Sequence, residues 1–143
     1  MKISRFVGVA CCALTLGAAA QPAAAHHSFS AEFDPDEPVT LEGTITRMEW
    51  INPHAWLHID VRNEDGTTTA WMIESATPNT LFRRGFTRDS VRTGTEITVH
   101  GYRARNGANR ANGRDIILAD GSRLFMGSSG TGAPGDDSAA DEP

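Results

Sequence analysis

The stretch Val39-Thr40-Leu41-Glu42-Gly43-Thr44-Ile45-Thr46-Arg47-Met48-Glu49-Trp50-Ile51-Asn52-Pro53-His54 decides the fold. Its first half alternates. Val39, Leu41 and Ile45 fall on one face, and Thr40, Glu42, Thr44 and Thr46 on the other. A period of two belongs to a half-buried β-strand. Met48 and Trp50 then carry the apolar phase on the opposite parity, and a bulge near Thr46–Arg47 accounts for the switch. Asn52-Pro53 breaks the strand.

The same reading continues downstream. Leu57, Ile59 and Val61 form the inward face of a second strand, and Asn63-Glu64-Asp65-Gly66 is a hairpin signal. Thr67 to Glu74 makes a third strand with Trp71 and Ile73 on one face. Pro78 opens a short helix over Asn79 to Arg84, which Gly85 stops. Thr93-Gly94 turns into a fourth strand, Glu96 to Arg105, with Ile97 and Val99 inward. Asn106 to Gly113 reads as a polar loop. Asp115 to Leu118 reads as a fifth strand, which Asp120-Gly121 turns back toward Leu124 and Phe125. Three strands, a short helix and two more strands is the order of an OB-type barrel. The expected fold is therefore all-β with one short helix, as a small five-stranded OB-like barrel.

The two ends have different compositions. Lys2 and Arg5 precede an apolar run from Phe6 to Leu16, and small residues follow up to Ala23-Ala24-Ala25. This is the layout of a secretory signal over residues 1–25, with cleavage before His26. A competing cut follows Ala20. The apolar run is shorter than the roughly 20 residues of a membrane span, so no span is expected in the mature form. Cys11 and Cys12 leave with the signal, which removes disulfide and thiolate chemistry from the mature chain. Residues 26–126 then form a single domain. After Met126 no apolar residue larger than alanine appears, so residues 127–143 are expected to be a disordered acidic tail. The expected location is periplasmic or secreted.

Removing Lys2 and Arg5 leaves eleven basic residues, all arginine, against 18 acids, a net charge of −7. Four of those acids, Asp136, Asp137, Asp141 and Glu142, lie in the tail. A mildly acidic exported domain lacks the basic surface that phosphate contact requires, so nucleic acid is not an expected partner. Catalytic motifs are also missing: there is no GxSxG, no HExxH and no phosphate loop. A binding module is expected rather than an enzyme.

Histidine carries the most suggestive chemistry. His26, His27, His54, His58 and His100 all lie in the mature region. Cleavage after Ala25 makes His26 the first residue, so its free α-amine and its ring nitrogen chelate one metal ion. A third nitrogen, assigned to His54, completes a T-shaped set that suits Cu(II), the strongest divalent ion for nitrogen donors. A cut one residue earlier places His27 third from a free amine, which also favours copper or nickel. Phe29, Ala31 and Phe33 share a strand face that anchors this arm to the barrel. Open coordination positions on such a copper ion would permit oxygen chemistry.

His54 and His58 share parity, but lie about 13 Å apart in a regular strand, too far to grip one ion unless the bend at Pro53 shortens that distance. His58 stands with Trp56 on the outward face. His100 has outward parity beside Tyr102, as an ordinary surface histidine does. Arg103, Arg105, Arg110 and Arg114 flank the fourth loop, which helps line the binding face of OB folds. An alternative function follows. Trp56, His58, Tyr102, Arg103, Arg105 and Arg110 would bind a sugar, a small anionic ligand or an envelope protein partner without metal.

The chain resembles a family of small exported bacterial proteins of unknown function. The resemblance rests on Ala25-His26-His27-Ser28-Phe29, Ala31-Glu32-Phe33-Asp34, Gly43-Thr44-Ile45 and Trp50-Ile51-Asn52-Pro53-His54. Trp71, Pro78-Asn79, Gly85-Phe86-Thr87-Arg88-Asp89-Ser90, Gly94 and Asn109-Arg110-Ala111 extend it over residues 25–125. It implies one exported domain, and names neither substrate nor metal.

Overall fold

The alternating stretches become six strands and one short helix in the computed structural model, which describes residues 29–128. The strands are β1 (Phe33–Glu49), β2 (Trp56–Arg62), β3 (Thr68–Glu74), β4 (Glu96–Ala104), β5 (Arg110–Leu118) and β6 (Arg123–Phe125). Helix α1 spans Pro78–Arg83, between β3 and β4. The sheet order is β3-β2-β1-β4-β5-β6, with all neighbours antiparallel. A parallel pairing of β3 with β5, Met72↔Arg110 to Glu74↔Asn112, closes five of the strands into a ring. This is the five-stranded, helix-interrupted arrangement expected from the element order. Of the described strands, closure leaves only the short β6 outside the ring, which limits exposed sheet edge.

The inward parity of each strand supplies the core. Ile45, Leu57, Ile59, Ile73, Val99 and Ile116 are fully buried. Each such side chain contributes about 1.5–3 kcal/mol on leaving water. Leu81 from α1, with Phe86 and Val91 after it, packs onto the same core. The helix starts at Thr77, whose hydroxyl accepts from Thr80 N at 3.2 Å, and Pro78 occupies its first turn. It ends at Gly85, whose φ of 91° suits glycine.

The expected bulge is present. The register of β1 on β2 shifts between Ile45 and Arg47. There Ile45 turns to the loop before β4, donating to Thr95 O (2.9 Å) and accepting from Gly94 N (2.7 Å). That shift puts Ile45 and Met48 on the same interior despite their opposite sequence parity.

Two local expectations need correction. Residues 29–32 form a helical turn, so Phe29, Ala31 and Phe33 do not share a strand face. Arg105 fixes this turn by bonding the carbonyls of Ser30 (2.8 Å) and Phe33 (3.1 Å). Residues 110–113 are not loop but the start of β5. Their small side chains reflect close packing. A Cβ at Gly113 would lie 2.6 Å from Met126 Sδ and 2.8 Å from Ile73 Cγ2, and Ala111 is fully buried. Past Met126 the described residues run on to residue 128. Gly127 N donates to Arg114 O, and Gly127 O accepts from Arg84. The proposed signal, His26, His27 and most of the acidic tail lie outside the described residues.

Candidate functional site

β2 begins two residues after His54, which places that ring beside the end of β3. His54 Nδ1 lies 3.1 Å from Ser75 O and 3.3 Å from Glu74 Oε1. Both partners accept, so Nδ1 carries a proton and, in the neutral ring, Nε2 holds the lone pair. Nε2 has no hydrogen-bond partner among the described residues, and the side chain is 36% exposed. Glu74 is more enclosed, at 13%. Burial pushes its carboxyl above the usual range, reinforced by the Glu32 charge and opposed by His54 and Arg110.

Arg110 joins this group to the N-terminal arm, residues 29–34. Its guanidinium lies 3.1 Å from Glu32 Oε2 and 3.7 Å from Glu74 Oε2. It also stands over two rings, 5.2 Å from the centroid of Trp56 and 5.7 Å from that of Phe33. Trp56 is directly opposite Glu74 in the β2–β3 ladder. Farther along the arm, Phe29 stacks on Phe33 (5.9 Å) and meets Tyr102 edge-on (5.6 Å). Arg105 pairs with Asp34 at 3.0 Å. The arm is thus docked on β4 and β5, although through a helical turn.

Two buried polar atoms in this patch have no partner among the described residues: Arg110 Nε and Asn112 Oδ1. They sit two residues apart on β5, opposite in parity to the core-facing Ala111. Asn112, 3% exposed, pairs across the ladders with Tyr102 and Glu74. Buried donors and acceptors are nearly always satisfied in folded proteins, so these two atoms are exceptions among the described residues.

Other expected site residues separate. His58 Nε2 faces Arg47 (3.2 Å) and Glu49 (3.4 Å), so it shares no partner with His54. Burial, then the Arg47 charge, push the His58 pKa below its ordinary value, against a smaller upward pull from Glu49. Arg103 stacks over Trp71 at 5.4 Å. His100 is not a plain surface histidine, because Nδ1 meets the fully buried Asp115 at 2.8 Å. Asp115 also receives Arg114 and Arg123. A cavity of about 110 Å³ lies beside His100, Tyr102, Thr40 and Arg114. A larger one, about 590 Å³, lies at the far ends of β2 and β5 from His54 and Arg110. Glu42, Asp60, Arg62 and Glu96 line it, and no expected ligand residue does.

Sequence reasoning missed Glu74, Glu32, Asn112 and Asp115. Glu74 had a usable signal, since its parity opposes that of Trp71 and Ile73. Glu32 had none, because its role depends on a turn that brings the arm to β5. Among the described residues no group of three His, Cys, Asp or Glu side chains converges to hold a metal. None of their helices is long and apolar enough to cross a membrane.

The fold and this patch define a small closed β-ring protein whose N-terminal arm is clamped beside a carboxylate–histidine pair. Residues 14–113 match the Family of unknown function (DUF6152), and the chain belongs to that family. No curated protein and no solved structure matches it.

Proposed function

We propose that this protein is an exported copper-binding module, with His26, His27 and His54 as the metal ligands. The observation that carries the reading is the setting of His54. Its Nδ1–H is held by a carboxylate and a carbonyl, and its Nε2 lone pair is unengaged among the described residues. Metal-ligating histidines commonly have this outer partner, which fixes the tautomer and raises the basicity of the other nitrogen.

The docked arm supports the same reading. Glu32 and Glu74 meet at one guanidinium, so the arm runs beside the His54 group. Covalent geometry limits the Cα of His27 to about 12 Å from that of Glu32. The terminal amine, if cleavage follows Ala25, is one residue farther. Arg110 Nε and Asn112 Oδ1 are buried groups that an added segment or ligand would complete. Copper buffering or delivery in the cell envelope suits a small exported domain of this kind.

The sugar or anion module is the second reading. It keeps Trp56 and Arg110 together, but Arg105 and Arg110 already face Asp34 and Glu32 of the same chain. That pairing favours a docked arm over an external anion.

The test is Cu(II) titration of the processed protein, with its N-terminus verified by mass spectrometry. One ion should remain per chain after desalting. His54→Ala should weaken binding at least about tenfold. His58→Ala, which removes a ring held by other partners, should leave affinity unchanged. Failure to retain copper, or equal affinity in the His54 variant, would end the proposal.

A further inference from the structure

Around α1 lies a surface that the metal reading does not use. Trp50 and Phe82 stack face to face, with centroids 4.7 Å apart and planes at 12°. Phe82 is 44% exposed and the neighbouring Ile51 is 50% exposed. The Arg88 guanidinium covers the Trp50 ring at 5.8 Å. Arg83 and Arg84 follow Phe82 directly. Arg83, Arg84 and Arg88 have no ion pair among the described residues, whereas Arg92 is taken up by Asp89 at 2.6 Å. Helix α1 has no acid in its first turn to offset them. The result is an exposed Phe82 stacked on a half-buried Trp50, inside a positive field with no ion-paired acid among the described residues, on a protein whose net charge is negative.

Arg84 also bonds Gly127 O, so the last described residues, 127 and 128, lie beside this surface. The sequence beyond Gly127 carries four acids, Asp136, Asp137, Asp141 and Glu142, and no base. Eight residues separate Gly127 from Asp136, a reach of at most about 30 Å over nine Cα–Cα steps. That span exceeds the length of a six-residue helix, and tethering keeps the effective concentration of the acids high.

We propose that residues 129–143 dock back on the Trp50–Phe82–Arg83–Arg84–Arg88 surface as its resident occupant. Each exposed ion pair is individually weak, so the contact is shallow and salt-sensitive. An external acidic partner would have to displace the tail. The inference is independent of copper.

The experiment compares the natural exported chain with a full-length variant carrying D136N, D137N, D141N and E142Q. Backbone amide and arginine side-chain NMR signals of residues 82–88 should differ between the two at low salt. The difference should vanish near 1 M NaCl, where the screening length is about 3 Å. A spin label at Ser138→Cys should attenuate signals of residues 82–88 at low salt and release them at high salt. Superimposable spectra with no attenuation would overturn the proposal. So would anionic-vesicle binding through residues 82–88 that is equally strong with and without the four tail acids.

Discussion

Replacing Asp115 by asparagine tests the electrostatics of the outer β4–β5 face most directly. The carboxylate is fully buried and accepts four bonds. Oδ1 takes His100 Nδ1 (2.8 Å) and Arg123 Nε (3.0 Å), while Oδ2 takes Arg123 NH2 (2.8 Å) and Arg114 Nε (2.9 Å). Burial pushes its pKa up. The bonds from Arg123, His100 and Arg114, with the Arg123 charge, outweigh burial and hold it at about 2 instead of 3.8. At about 1.4 kcal/mol per pKa unit, the displacement is worth at most about 2.5 kcal/mol. Arg114 and Arg123 are 38% and 46% exposed, and solvent screening brings this to about 1–2 kcal/mol. The sign follows from a depressed carboxylate pKa. The stabilisation is complete above about pH 5 and disappears as pH falls toward 2. The amide introduced by Asp115→Asn would turn a donor toward a guanidinium and leave two cations without their anion, a loss of about 2–4 kcal/mol at pH 7. Urea unfolding followed by tryptophan fluorescence, at pH 7 and pH 2.5, measures both quantities. The gap between natural and variant protein should shrink by about 1–2 kcal/mol at the lower pH. An equal gap at both, or a loss below about 0.5 kcal/mol at pH 7, would refute this account.

Glu74→Gln should behave oppositely. Because burial raises the Glu74 pKa, ionised Glu74 is a net burden that grows as pH rises through that pKa. Urea unfolding of the variant at pH 7 should show unchanged or slightly higher stability, and a loss above about 2 kcal/mol would contradict it. The His58 ring should titrate with a midpoint below 6.5 in an NMR pH series, since burial and Arg47 both disfavour its cation. Gly101→Ala should cost about 2–3 kcal/mol in the same unfolding assay. Its Cβ would fall 2.2 Å from Asn112 O, a backbone atom that cannot swing away.

Periodicity carried most of the fold because burial imposes it. Leu57, Ile59, Trp71, Ile73, Ile97 and Val99 all point inward as their alternation requires. The bulge after Ile45 was legible as a change of phase. The start of β5 was not. Ala111, Asn112 and Gly113 are small because Met126 and Ile73 crowd Gly113, and tight packing resembles a loop when only composition is visible. The helical turn at 29–32 depends on Arg105, seventy-odd positions away, which no local pattern encodes. The candidate site was legible in part. His54 follows from the break at Pro53, but its partner Glu74 requires knowing the β2–β3 register, in which Trp56 and not His54 is opposite Glu74. Asp115 looked like the polar first residue of a strand, whereas it lies opposite His100 in the β4–β5 ladder and is buried as the shared acceptor of His100, Arg114 and Arg123.

The arginines after β4 carry a further consequence. In an OB-type ring this loop helps line the binding face, so a basic loop there suggests an anionic ligand. Here the anions are Asp34 and Glu32, supplied by the chain itself. Phe29 adds an aromatic contact to Tyr102 at the same place. The face is therefore occupied from within, by residues 29–34 of the same chain. In the proposed function His26 and His27 lie within chain reach of Glu32 and so of the Arg110–Glu74 group it contacts. Among the described residues, the only histidine bound to that group is His54, with one ring nitrogen committed to Glu74 and Ser75 and the other unengaged. The copper reading thus rests on the topology of the arm as much as on its histidines, and releasing the arm through Arg110 should impair metal retention even with all three imidazoles intact.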